Sequence, residues 1–187
     1  MKRFAELTEQ EILALAITNE DEDSRIYRGF AEGLRAKYPA SAKVFDEMAE
    51  EEVRHRSMLF DLYRTKFGEY LPLIRRQDVK GFIPKKPLWL MHPLNLDEVR
   101  KFAENMEYEA ARFYRRGAET TRDTSVRQLL LELAEAEVEH EGLAQPLGEA
   151  TIDAAILVLV GDGQRENLLF GEFGKTFHGP ALVIELC

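Results

Sequence analysis

An eleven-residue segment, FDEMAEEEVRH at Phe45–His55, returns without a gap as LLELAEAEVEH at Leu130–His140. Identities fall at Glu47/Glu132, Ala49/Ala134, Glu50/Glu135, Glu52/Glu137, Val53/Val138 and His55/His140. The segment before each copy is related too. NEDEDSRIYRGFAE lies over MEYEAARFYRRGAE, matching Glu20 with Glu107, Tyr27 with Tyr114 and Glu32 with Glu119. Glu20 precedes Glu52 by 32 residues and Glu107 precedes Glu137 by 30, while Glu104, one helical turn before Glu107, precedes Glu137 by 33. A chain that writes Glu … Tyr … Glu-x-x-His twice reads as a duplicated helical hairpin, and two such hairpins make a four-helix bundle.

The element boundaries agree with that reading. Thr8 with Glu11 is a capping box, opening a first helix that runs to about Ala36. Pro39 suits the first turn of a second helix, which continues to Gly68. Pro72, Gly81, Pro84, Pro87 and Pro93 interrupt residues 68–94. Asn95 with Glu98 opens a third helix that ends near Thr121, and Asp123 or Thr124 caps a fourth, stopped by Pro146 and Gly148. Short links make antiparallel hairpins of the first two helices and of the last two. At 1.5 Å per residue the second helix is roughly 40 Å long. The 68–94 connection can run back along that length, so that the third helix starts where the second started.

The expected fold is therefore all-α: a four-helix bundle with one long crossover, over residues 1–148. Apolar LPLI and PLWLMHPL in the crossover are expected to pack on the bundle or on another subunit, which makes a homodimer the expected assembly. Past Gly148, short β-branched runs separated by glycines show no sustained helical period, so residues 149–187 form a tail without a defined expectation.

The apolar seam of the second helix runs through Phe45, Met48, Glu52, His55, Leu59 and Leu62; that of the fourth runs through Val126, Leu130, Leu133, Glu137, His140 and Ala144. Leu13, Ala16, Glu20, Tyr27, Ala31 and Leu34 share a stripe on the first helix, and Glu104, Glu107, Ala111 and Tyr114 share one on the third. At least four carboxylates and two imidazoles then converge at mid-bundle. Burying one unpaired carboxylate costs several kcal/mol, and four together cost more. Two divalent cations cancel four negative charges. Oxygen and imidazole donors in a water-accessible arrangement suit iron or manganese. A glutamate from two helices and Glu-x-x-His from the other two is the ligand pattern of di-iron and di-manganese carboxylate bundles.

One Glu-x-x-His occurs by chance in many helices, and any of these glutamates alone would read as a solvated residue. The doubling, with an upstream glutamate in each half, reverses that weighting. Glu104 and Glu107 stay open as alternatives or joint ligands. Tyr27 and Tyr114 fit either as core aromatics or as hydrogen-bond donors to the ligating carboxylates. Glu50 lies off the seam and is expected to be exposed, His92 and His178 to be structural or exposed, and the RRQ and KK patches to be solvated loop.

A net charge of −9 without a long basic run argues against a nucleic-acid partner. MKRFAELTEQE lacks the apolar core of a secretory signal, and ILVLV is too short to span a bilayer. Cys187 stands alone, so neither an internal disulfide nor a four-cysteine metal site can form within the chain. A cytoplasmic or cytosol-facing protein is expected.

Over roughly residues 5–147, AITNEDEDSRIYRGFAE, FDEMAEEEVRHRSMLF, FAENMEYEAARFYRRGAE and LLELAEAEVEHEGL resemble rubrerythrin-type members of the ferritin-like superfamily. The resemblance is nearer still to the N-terminal domain of bacterial membrane-bound ferritin, a rubrerythrin–vacuolar-iron-transporter fusion. It implies a ferritin-like bundle holding two iron ions, with manganese or zinc as substitutes. The implied ligands are Glu20, Glu52, His55, Glu107, Glu137 and His140, with Glu52 and Glu137 bridging. Glu104-x-x-Glu107 matches a carboxylate pair that exchanges with redox state in rubrerythrins. The implied activity is oxidation of Fe(II) by O2 or H2O2, as a ferroxidase or peroxidase in iron handling and oxidative-stress defence. The alternatives are an iron-binding sensor or delivery module without turnover, and a di-iron hydroxylase. Two departures stand out. The four-cysteine iron centre of rubrerythrins proper cannot be built from Cys187, so a peroxidase would need a separate electron donor; and the resemblance to the fusion stops near Gly148.

Overall fold

The computed structural model describes residues 1–80 and 95–143, except for the side chains of residues 140–143. Four helices dominate: α1 (Glu9–Leu34), α2 (Pro39–Phe67), α3 (Leu96–Thr120) and α4 (Thr124–Leu143). Helices α1, α3 and α4 begin where a side chain accepts from their first amides, and α2 begins at a proline. Thr8 Oγ1 accepts from Glu11 N at 3.2 Å, while the Glu11 carboxylate accepts from Thr8 N at 3.0 Å. Pro39 occupies the first turn of α2, where a missing N–H is no loss, and Gly68, at φ +85°, ends that helix. Asn95 caps α3 through the Asp97 amide at 3.0 Å. Asp123, rather than Thr124, caps α4: its Oδ1 accepts from Ser125 N at 3.0 Å and Val126 N at 3.1 Å.

Side-chain contacts give the topology. Gln10 meets Tyr63 and Arg35 meets Asp46, so α1 and α2 are antiparallel. Gly117 lies against Ile12, and Tyr27 bonds Glu107, so α3 is antiparallel to α1. Lys66 pairs with Asp123 at 2.6 Å while His55 reaches Glu137, so α4 runs against α2. Helices α2 and α3 therefore start at the same end, and Ser41 near the start of α2 meets Arg100 near the start of α3. That is the crossover bundle expected above, with no strand among the described residues. Gly117 marks a close approach: a Cβ there would sit 3.0 Å from Leu130 Cδ1 and 3.1 Å from Ile12 Cγ2, so any larger residue would require those side chains to give way.

The first part of the crossover is held against the bundle. A 3-10 turn at Arg76–Asp78 is tied to the N-terminus by Lys2 N to Asp78 O at 2.7 Å and Lys80 N to Lys2 O at 2.8 Å. Val79 is buried and Ile74 packs on the core. The LPLI expectation holds only in part, since Leu73 is 99 % exposed and Leu71 is exposed as well. PLWLMHPL, the KK patch, His92, His178 and the tail lie outside the described residues.

The core is divided. One apolar cluster contains Ile12, Leu13, Leu15, Ile17, Leu59, Tyr114, Leu130 and Leu133. The other contains Tyr27, Phe30, Leu34, Phe45, Met48, Val99 and Met106. On α1, α2 and α3 the glutamate in question falls between residues of the two clusters, Glu20 after Ile17, Glu52 after Ala49 and Glu107 after Met106, and on α4 Glu137 follows Ala134 at the end of the first cluster. The apolar mass above and below fixes the helices, at roughly 1.5–3 kcal/mol per large side chain buried. A polar layer is sealed between.

Candidate metal centre

Helical periodicity alone brings the layer together. Glu52 and His55 sit one turn apart on α2 and point inward because Met48 and Leu59 beside them on the same stripe are core residues. Glu20 follows Leu13 and Ala16 on α1, and Glu137 follows Leu130 and Leu133 on α4. The result is deep burial: Glu20 and Glu107 are 1 % exposed, Glu52 and Glu137 2 %, His55 5 %.

Distances within the layer are short. Nδ1 of His55 stands 3.2 Å from Glu52 Oε2, 3.4 Å from Glu137 Oε1 and 3.7 Å from Glu20 Oε2. One donor atom from each of Glu20, Glu52, His55 and Glu137 lies within 4.8 Å of the others. Donors on opposite sides of one octahedral cation with bonds near 2.1 Å are about 4.2 Å apart, so the four can close on a metal with small side-chain adjustments. Glu107, from α3, brings the fourth carboxylate. It accepts a hydrogen bond from the Tyr27 hydroxyl and shares one with Glu137. Glu104 is only half-buried and lies outside the four-residue cluster. His140 is on α4, one turn beyond Glu137, and its side chain is outside the described residues.

Electrostatics follows from the crowding. Burial, then the charges of Glu52 and Glu107, push the Glu137 carboxyl well above the ordinary glutamate value. The same causes, burial followed by Glu107 and Glu52, raise the Tyr27 phenol, which keeps its proton and donates a hydrogen bond to Glu107. Glu52 Oε1 is buried with no hydrogen-bond partner among the described residues. An acceptor left in that state is costly, and a hard cation with oxygen and imidazole donors is the chemistry that relieves it. The described residues fit a divalent metal ion.

Some of the layer was not legible in the sequence. Asn19, Asp23 and Ser24 are buried on α1, and Arg76 from the RRQ patch is not solvated loop: its side chain is 18 % exposed and bonded to α1. Asp23 stands one turn after Glu20, but its counterpart in the repeat is Ala110, so duplication gave no hint of it. Arg76 comes from the crossover, which has no repeat at all. Tyr114 is buried like Tyr27, yet its hydroxyl has no hydrogen-bond partner among the described residues, whereas that of Tyr27 does. Glu50 is exposed, as its place off the seam requires.

Residues 11–147 match the family model described as rubrerythrin. The chain belongs to the rubrerythrin family. No curated protein sequence matches this rubrerythrin-family chain significantly. Among solved structures, a Thermotoga maritima protein described as ferritin-like and diiron-carboxylate is similar, at 19 % identity and TM-score 0.59, over 74 % of this chain and 92 % of that one. A Magnetospirillum magnetotacticum protein described as uncharacterized and conserved gives 24 % identity and TM-score 0.59 over 81 % and 95 % of the two chains. A hypothetical protein of Pyrococcus furiosus gives 19 % and 0.56 over 85 % and 96 %. At these identities the likeness is one of fold. It agrees with the helical bundle of this rubrerythrin-family chain. No helix of the described residues is long and apolar enough to cross a membrane.

Proposed function

We propose that this rubrerythrin-family chain holds two iron ions in its polar layer and oxidises Fe(II) with O2 or peroxide. The observation that carries the reading is the convergence of Glu20, Glu52 and Glu137 around His55, with Glu107 hydrogen-bonded to Glu137, so that each helix brings one carboxylate that is at most 2 % exposed. Four negative charges sealed between two apolar clusters are tolerable in the folded state only with counter-cations, and two dications match them. In this proposal Glu52 and Glu137 bridge the pair, Glu20 and the Glu104/Glu107 pair close its flanks, and His55 and His140 each bind one ion. Tyr27 holds Glu107 in place. An iron pair, when bound, supplies two electrons to one oxidant molecule. The protein's own contribution is to fix the spacing, keep bulk water out of the layer and retain a proton on Tyr27 beside it.

The domain is proposed to end near residue 148, with 149–187 as a separate tail. Its resemblance to the ferritin-like part of transporter fusions makes iron handling the proposed setting. The oxidant and any electron donor are small or separate partners, and a homodimer is the proposed assembly.

The test is anaerobic loading with two equivalents of Fe(II), followed by stopped-flow mixing with O2 and with H2O2. Tight uptake of two ions and a rapid rise of Fe(III) absorbance are expected. Two tightly held Fe(II) ions that oxidise no faster than free iron would overturn turnover and leave a sensor or delivery role. Uptake of none would remove the metal pair itself.

A further inference from the structure

Arg75 and Arg76 are neighbours in the crossover with opposite fates. The Arg75 side chain is 65 % exposed; that of Arg76 is 18 % exposed. Nε of Arg76 donates to Asn19 Oδ1, and its Nη1 stands 3.2 Å from Glu22 Oε2. Asn19 and Glu22 flank Glu20 on α1, which places the guanidinium against the outside of that helix at the level of the cluster. Nor is its backbone free to drift, because the Arg76–Asp78 turn is pinned to Lys2 on one side and by buried Val79 on the other.

Burying a guanidinium is expensive unless anions face it. Glu22 does so directly, but its side chain is 45 % exposed and partly shielded by water. Burial lowers the Arg76 pKa below the usual arginine value, and the charges of Glu22 and then of Glu20, one of the carboxylates of the layer, oppose that shift. An arginine stays charged throughout the accessible pH range, so its field is permanent.

We propose that Arg76 is a fixed cation that compensates Glu20 in the metal-free protein and loosens the hold of the layer on divalent metal. In this proposal it is a tuning residue that is held by Asn19 and Glu22 and acts on the layer through charge. The inference rests on the proposed metal site. A fixed charge near a dication, at the effective dielectric of a protein interior and with solvent screening, changes affinity by about fivefold. Two opposite signs follow. Removing the cation should tighten metal binding, whereas removing its counter-anion Glu22 should weaken it. A residue that merely props α1 in place predicts weaker binding in both cases.

The experiment is titration of the full metal-free chain with Co(II), read by visible absorption for stoichiometry and affinity, with circular dichroism as the folding control. Wild type is expected to take up two Co(II). Arg76→Gln should bind about fivefold more tightly and Glu22→Gln more weakly. The double variant and Arg76→Lys should both stay near wild type. Unchanged or weaker binding in Arg76→Gln, with wild type binding two ions, overturns this proposal and leaves the metal site standing. No Co(II) uptake by wild type overturns both. Should Arg76→Gln fail to fold, Glu22→Gln decides by salt: a charge effect shrinks between about 0.05 M and about 1 M salt, and a loss independent of salt sinks the idea.

Discussion

Glu137 shows how one side chain can serve opposite ends. In the metal-free protein its carboxyl is raised by burial and by Glu52, Glu107 and Glu20. With metal present it is a proposed bridging ligand. Replacing it with glutamine keeps the size and removes the charge. At pH 8, chelator-treated Glu137→Gln should therefore be more stable than wild type, because the variant has no buried carboxyl to ionise. The sign with pH is fixed by linkage: a carboxyl raised in the folded state supplies stability that is present below its unfolded value and is lost as pH rises through its folded one. The advantage of the variant should accordingly close as pH falls towards 4.5, the ordinary glutamate value. Thermal melts across pH check this, and a metal-free variant less stable than wild type at pH 8 would contradict it. The same substitution should cost at least one of the two metal ions.

At the scale of elements, the start of α4 depends on groups from three helices. Asp123 receives the Ser125 and Val126 amides and pairs with Lys66 of α2, while Glu9 of α1 accepts from the Arg122 and Asp123 amides at 2.7 and 2.9 Å and from the Thr121 hydroxyl. Hydrogen bonds from Lys66, Ser125 and Val126 hold the Asp123 carboxyl far below its ordinary 3.8. Asp123→Ala is expected to lower the melting temperature near neutral pH and to loosen the N-terminal turn of α4. A depressed carboxyl contributes stability above its unfolded value and loses it as pH falls through the folded one, so the gap between variant and wild type should narrow only below pH 3.8. Amide exchange localised to α4 is the measurement. Equal melting temperatures at pH 7 would show that Glu9, which accepts from the neighbouring amides, suffices.

For the whole molecule, the divided core carries a cost in the absence of metal. Two apolar clusters hold the four helices together, yet the layer between them concentrates like charge. Metal that binds only the folded state stabilises it by mass action, by about 2.7 kcal/mol per site at a hundredfold excess over the dissociation constant. For a chain of this size each kcal/mol moves the melting temperature by roughly 2–4 °C. Calorimetry of the chelated and the Mn(II)- or Fe(II)-loaded protein should therefore show an upward shift of roughly 5–10 °C on loading at one site, reversed by chelator. No shift would mean that the carboxylates are neutralised in another way.

Periodicity and duplication were enough to place the bundle, its crossover and the inward face of each helix. A helical repeat converts spacing into direction, so Glu20, Glu52, His55, Glu107 and Glu137 could be assigned to buried stripes from their distances to Leu13, Met48, Leu59, Ala111 and Leu133. The sequence was silent wherever a contact depends on how far two elements approach or on where a loop comes to rest. The burial of Arg76 against Asn19, the half-exposure of Glu104 beside fully buried Glu107, and the choice of Asp123 as cap are of this kind. So is the close approach of Gly117 on α3 to Ile12 and Leu130. Each is set by packing distances between segments remote in the chain, and pattern along one helix contains no measure of those.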